Sequence, residues 1–175
     1  NGPHSMIIGA NLIYKVKDKD LLTRRIKALL MTIILVLLFI FILLVPAFGD
    51  KIVSLIVGII PNSHIGSIIK TGYSILKYPT SLIIVYIFIK ILYTMAPDTN
   101  IKSRETTPGA IFTTISWIIS TEVYSFYVSY FAKYNLLYGS VANLIILFLW
   151  IYLLSYIFVL GMVLNASSIE EIEKV

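Results

Sequence analysis

Two long stretches of this chain carry no charge. Tyr134–Ile169 lies between Lys133 and Glu170, and Ala28–Gly49 lies between Lys27 and Asp50. Each can cross a hydrocarbon core of about 30 Å, which needs about 20 apolar residues in a helix. The rest of the pattern divides around them. A first span is expected over 25–46, stopped by Pro46 and Gly49. Residues 51–78 are apolar but broken by Pro61, Asn62 and Ser63, and neither half is long enough to span. In the second half Ile65, Ile68, Ile69, Tyr73 and Leu76 share one helical face, while Ser67, Lys70, Ser74 and Lys77 share the other. That is the pattern of a helix lying in the membrane interface. A re-entrant hairpin packed against protein is the alternative. Residues 78–95 make a short span interrupted by Lys90, and 96–107 form a polar loop. Pro108 suits a helix start, with Thr107 as its N-cap, and the next span runs over 108–132 with Glu122 inside it. A short connection leads to a span over 140–165 and a polar tail, 166–175. The expected fold is all-α: a polytopic helical membrane protein with four transmembrane helices plus an amphipathic interfacial or re-entrant segment.

Composition agrees. Of 175 residues, 58% are hydrophobic and 13% charged, with mean hydropathy +0.91. A soluble domain carries about 25% charged residues. There is no cysteine, which excludes disulfides and thiolate metal sites. The net charge of +5 is explained by the placement of Lys and Arg and calls for no nucleic acid. With four spans both termini share one side. That side holds Lys15, Lys17, Lys19, Arg24, Arg25, Lys27, Lys102, Arg104 and Lys174; the other holds Lys51, Lys70, Lys77 and Lys133. The bias puts both termini in the cytoplasm. Residues 6–27 are then a cytoplasmic juxtamembrane segment, able to meet anionic headgroups. Residues 1–5 read as a tag remnant.

Few residues carry candidate chemistry. An acidic group inside a span is costly and should have a partner, so Glu122 and Lys90 form a candidate intramembrane polar pair, with Asn143 nearby. A structural ion pair explains them as well as a transport role does. Lys70 and Lys77 are candidate headgroup contacts. So are Tyr127, Tyr134 and Tyr138, although tyrosines of this kind also gather at the membrane boundary for packing alone. Gly139 and Ser140 suit a tight connection and a helix cap. Asn143 and Asn165 are polar groups that more often bond a neighbouring helix than a substrate, and Gly161 suits close helix packing. No cofactor is expected, and the chain holds no phosphate-binding loop of the GxxxxGK(S/T) type.

Several landmarks recur in a fixed order. Leu92-Tyr93 precedes Pro97. Pro108-Gly109-Ala110 opens a helix, with Trp117 two turns on. Tyr127-Val128-Ser129, Phe131 to Asn135 and Tyr138-Gly139-Ser140 follow. Leu149-Trp150-Ile151-Tyr152 and Gly161 to Asn165 close the series, and Asn11 to Tyr14 stands ahead of it. In this order the chain resembles the YihY/BrkB family of bacterial inner-membrane proteins. The resemblance implies a transporter-like role or the handling of lipid or envelope components, with membrane lipids as partners. A non-transporting scaffold for envelope assembly is the alternative. Family members have carried the label ribonuclease BN, but metal-dependent phosphodiester cleavage needs clustered carboxylates or histidines, and no acidic cluster lies on an aqueous loop here. An enzyme is therefore not expected. The resemblance also implies two further spans ahead of residues 11–14. If they are missing, the chain is expected to form a homo-oligomer or swapped assembly, or to present a groove filled by lipid.

Overall fold

A computed structural model describes residues 2–60, 63–131 and 139–172. Among them every regular element is helical: α1 (Gly2–Ile13), α2 (Leu21–Ile59), α3 (Ser63–Met95), α4 (Thr107–Phe131) and α5 (Gly139–Ile172). Neighbours in sequence pack together along α1–α2, α2–α3, α3–α4 and α4–α5, and α1 also touches α5, which closes one end of the bundle.

The helix ends have local causes. α1 stops where Lys15 turns left-handed, at φ 54°. The Lys15 N–H then reaches the Leu12 carbonyl at 3.3 Å and the Val16 N–H the Asn11 carbonyl at 2.9 Å, a Schellman closure that uses up the last carbonyls. Asp20 caps α2, its carboxylate accepting the Leu21 N–H at 3.0 Å. At the start of α4 the Ala110 N–H bonds the Thr106 carbonyl at 3.1 Å, so Thr106, not the expected Thr107, sits at the cap.

Two expected boundaries are corrected. α2 does not end at Pro46 and Gly49 but continues to Ile59. The segment 51–78 is not a separate element: it is divided between the end of α2 and the start of α3, and α3 passes through Pro79 into the expected span 78–95. Proline removes one N–H, yet in an apolar environment the remaining backbone groups have no partners outside the helix, so continuing it costs less than breaking it. Near their junction the two helices touch closely, since a Cβ built on Gly66 would lie 2.8 Å from Val57 Cγ1. At 39 and 33 residues, α2 and α3 are far longer than one crossing requires, about 58 and 50 Å against about 30 Å.

By length and apolarity, two stretches among the described residues can cross a membrane, His64–Met95 and Asn143–Glu170. Only 11% and 17% of their most apolar windows are buried inside the protein. A core helix of a soluble protein would be mostly buried; these faces point outward. α4 is less apolar because Thr113, Thr114, Ser116, Ser120, Thr121, Glu122, Ser125 and Ser129 interrupt it. Several of these hydroxyls bond the carbonyl four residues back, Thr114 to Ala110 and Thr121 to Trp117 both at 2.7 Å, which satisfies them without a partner helix.

The core lies at one end. Ile7 and Ala10 of α1, Met31 of α2, Ile89, Leu92, Tyr93 and Ala96 of α3, Ala110 of α4, and Phe158 and Met162 of α5 form one buried cluster. At the other end the apolar side chains are open: Leu55, Ile59, Ile75, Phe126, Val141 and Phe148 are all more than 60% exposed.

Candidate functional site

The polar chemistry of the described residues gathers at the packed end. Asn11, in the last turn of α1, is buried and its amide is fully used. Nδ2 donates to Asp98 Oδ2 at 2.8 Å and to Asp18 Oδ1 at 2.7 Å, and Oδ1 accepts the Asp98 N–H at 2.7 Å. Asp98 is placed by the turn that follows Pro97 at the end of α3. Its buried carboxylate also accepts Lys27 Nζ at 2.7 Å and the Lys19 N–H at 3.2 Å. Lys27 Nζ adds a bond to the Pro97 carbonyl at 2.6 Å. Beyond Asn11, Asp18 pairs with the buried Arg24 at 2.7 Å. The result is a chain of groups, Lys27–Asp98–Asn11–Asp18–Arg24, in which each carboxylate has one cation. Such a network tolerates burial because its charges cancel and the Asp98 carboxylate and Asn11 amide are hydrogen-bonded, although Arg24 Nε has no partner among the described residues. Burial alone would raise the Asp98 carboxyl, but the bonds from Lys27, Asn11 and Lys19 and the Lys27 charge outweigh it and bring the pKa down to about 2.

Below it, a second layer joins α3, α4 and α5. Tyr93 donates its hydroxyl to the Phe158 carbonyl at 2.7 Å and shares a 2.6 Å hydrogen bond with Thr113. The Gly109 N–H, one of the first donors of α4 and without a helical acceptor, reaches Asn165 Oδ1 on α5 at 2.7 Å. These bonds need the two helices very close. A Cβ on Gly109 would lie 2.0 Å from the Gly161 carbonyl oxygen, and one on Gly161 would lie 2.1 Å from Thr113 Oγ1. Trp117 adds a clasp further along, Nε1 donating to the Leu154 carbonyl at 2.9 Å.

At the outer rim of this end lies a cavity of about 370 Å³, bounded by Tyr14, Thr99, Asn100, Lys102, Glu105 and Glu170 among others. Burial pushes the Tyr14 hydroxyl up to about 12, and the Glu105 charge acts in the same direction. Lys15 and Glu170 pair across its edge at 2.5 Å. The basic segment 15–27, the loop 96–106 and the end of α5 therefore sit together at one end of the bundle.

The residues singled out in the sequence are distributed differently. The structure does not pair Glu122 with Lys90. Glu122 is exposed on α4 and makes no ion pair among the described residues, while Lys90 Nζ lies 5.6 Å from the centre of the Tyr86 ring. α3 is not the short span expected over 78–95 but one long helix from residue 63, which changes its register against α4. Asn143 is exposed on α5. Lys70 is exposed and Lys77 Nζ sits 5.7 Å from the Tyr73 ring. Tyr127 is exposed, and Tyr134 and Tyr138 lie outside the described residues. Gly139 and Ser140 begin α5, Pro108 lies in the first turn of α4, and Trp150 stacks on Tyr124 with ring centres 4.9 Å apart. Asn11, Lys27, Tyr93 and Asp98 were missed as site residues. The available signal was Asp98 directly after Pro97, one carboxylate opposite a strongly basic segment expected on the same side.

Comparison with known proteins matches residues 1–174 to the family described as virulence factor BrkB. The chain is 31% identical over 169 residues to YfkH of Bacillus subtilis, a protein described as ribonuclease-like, covering 95% of this chain and 60% of YfkH. It is 39% identical over 83 residues to a UPF0761 membrane protein of Pseudoalteromonas translucida, covering 47% of this chain and 28% of that protein. A UPF0761 membrane protein of Haemophilus influenzae is 31% identical over 104 residues, covering 59% of this chain and 38% of the relative. The chain thus spans 60% or less of the length of each of these relatives. No solved structure matches. A match over nearly all its residues, carried by described residues that are all-helical and hold two stretches long and apolar enough to span a membrane, places this chain in the BrkB family of membrane proteins.

Proposed function

We propose that this protein handles a lipid or another envelope component in a bacterial inner membrane, with both termini cytoplasmic. One observation carries the reading: the helices are locked by a buried, charge-balanced network at one end and expose apolar flanks at the other. A rigid base with open lipid-facing sides is suited to holding or guiding an amphiphile. The meeting of residues 15–27, loop 96–106 and the α5 end supports one shared side for these basic segments, as the charge bias requires. Asp98 and Asp18 are each neutralised by a cation, Lys27 and Arg24 respectively.

The test is transbilayer movement of a fluorescent phospholipid in vesicles containing the purified protein. Faster loss of outer-leaflet signal than in empty vesicles supports the reading. An unchanged rate favours the second reading, a scaffold whose apolar flanks are covered by other helices or by further copies of this chain. That reading draws on the separation of Lys90 from Glu122, which leaves no shared polar path between α3 and α4 through these two residues. Orientation is tested by cysteines at positions 64 and 103: an external reagent should label the first and not the second in intact cells.

A further inference from the structure

Lys90 is a cation in α3 about 8 Å short of the helix end at Met95, within a stretch able to span the membrane. No carboxylate reaches it among the described residues; its ammonium is set against the Tyr86 ring instead. It lines a hollow of about 300 Å³ with Ile87, Ile91, Thr94, Met95 and Ser103. Thr94 is already used, donating to the Lys90 carbonyl and bonded to Thr106. Ser103 stands in the loop above, at the end of the bundle that holds the basic segments. The hollow therefore has an apolar wall on α3, one uncompensated positive charge and a hydroxyl at its rim.

We propose that this hollow binds the phosphate of an anionic phospholipid. Lys90 supplies the counter-charge and Ser103 a hydrogen bond, while an acyl chain lies along Ile87, Ile91 and Met95. An intramembrane lysine without a protein carboxylate is otherwise costly, and a compact ammonium on a long stem matches a phosphate at headgroup depth. The apolar wall selects a lipid over free phosphate, since a soluble anion would leave it unfilled. The inference rests on reading α3 as a span and on the proposed lipid-facing role, and it names the lipid class.

The test titrates the purified full chain in mild detergent with phosphatidylglycerol or phosphatidylcholine and counts bound lipids by mass spectrometry of the intact complex. Wild type should retain phosphatidylglycerol preferentially. Lys90→Met should weaken that retention about fivefold, the equivalent of about 1 kcal/mol for one lysine at an anionic surface. Lys90→Arg should keep most of it, and Lys51→Met, exposed on α2, should leave it unchanged. Equal retention by Lys90→Met and wild type overturns the site, as does equal retention of the two lipids. Displacement of the lipid by inorganic phosphate at matched concentration would reassign the hollow to a soluble anion. Charge-dependent binding at Lys90 with no transbilayer movement would leave this site standing and remove the transport reading alone.

Discussion

Replacing Asp98 by Asn removes one negative charge from the closed end of the bundle while leaving its shape nearly intact. The carboxylate is 0% exposed, and its partner Lys27 is 18% exposed. An amide at position 98 would turn an N–H2 toward donors from Asn11, Lys19 or Lys27 and leave the Lys27 ammonium without its counter-charge. Breaking one partner of a buried pair costs about 3–5 kcal/mol. The bonds and the Lys27 charge that bring the Asp98 carboxyl down from 3.8 to about 2 also make this stability depend on pH. The folded-state pKa lies below the unfolded one, so this stability is fully present above about pH 4 and is lost as pH falls through 4 toward 2. Unfolding in mild detergent, followed by helical circular dichroism against denaturant, measures both effects. Asp98→Asn should lose about 3 kcal/mol or more at pH 7 and lack the acid-sensitive limb that wild type shows between pH 4 and 2. A double change, Lys27→Met with Asp98→Asn, should recover part of the loss, because no ammonium is then left without its counter-charge. A cost under about 1 kcal/mol at pH 7, well below the buried-pair range, or an unchanged acid limb in the variant, would refute the network as the lock of this end.

Other changes probe the packing. Gly161→Ala puts a methyl group 2.1 Å from Thr113 Oγ1 and 2.3 Å from the Tyr93 hydroxyl; it should cost about 3 kcal/mol or more, at or above the upper end for overpacking, and a wild-type thermal midpoint would disprove the close approach of α4 and α5. Trp117→Phe keeps a ring near Phe158 but loses the 2.9 Å bond to the Leu154 carbonyl, for about 1 kcal/mol in the same unfolding assay. Lys15→Gly should raise the thermal midpoint, because glycine adopts the left-handed turn at φ 54° without a Cβ clash and the exposed pair with Glu170 contributes little; a lower midpoint would show that the pair outweighs the turn.

That the protein is helical, belongs to a membrane and is a member of this family is already legible in its residues. Those conclusions rest on properties that survive without tertiary contacts: the length of the uncharged runs, the depletion of charge and the order of landmarks such as Leu92-Tyr93, Pro108-Gly109 and Gly161 to Asn165. The sequence also marked Gly109, Trp117, Gly161 and Asn165, but as separate motif positions. Only the tertiary structure showed that they meet: Gly109 with Asn165 and Gly161, and Trp117 with the α5 backbone. The end of α2 escaped the sequence because Pro46 reads as a break in water, whereas in an apolar surrounding the backbone keeps its internal bonds through a proline, as α3 also does at Pro79. The Glu122–Lys90 pairing failed for a related reason. Axial register between helices depends on where each begins and how it packs, and hydropathy fixes neither. Asn11 and Asp98 are 87 positions apart, and nothing local shows that one amide and one carboxylate will close a bundle. That decision belongs to the fold, which brings α1 against the end of α3 and buries both groups, so that each must find the other.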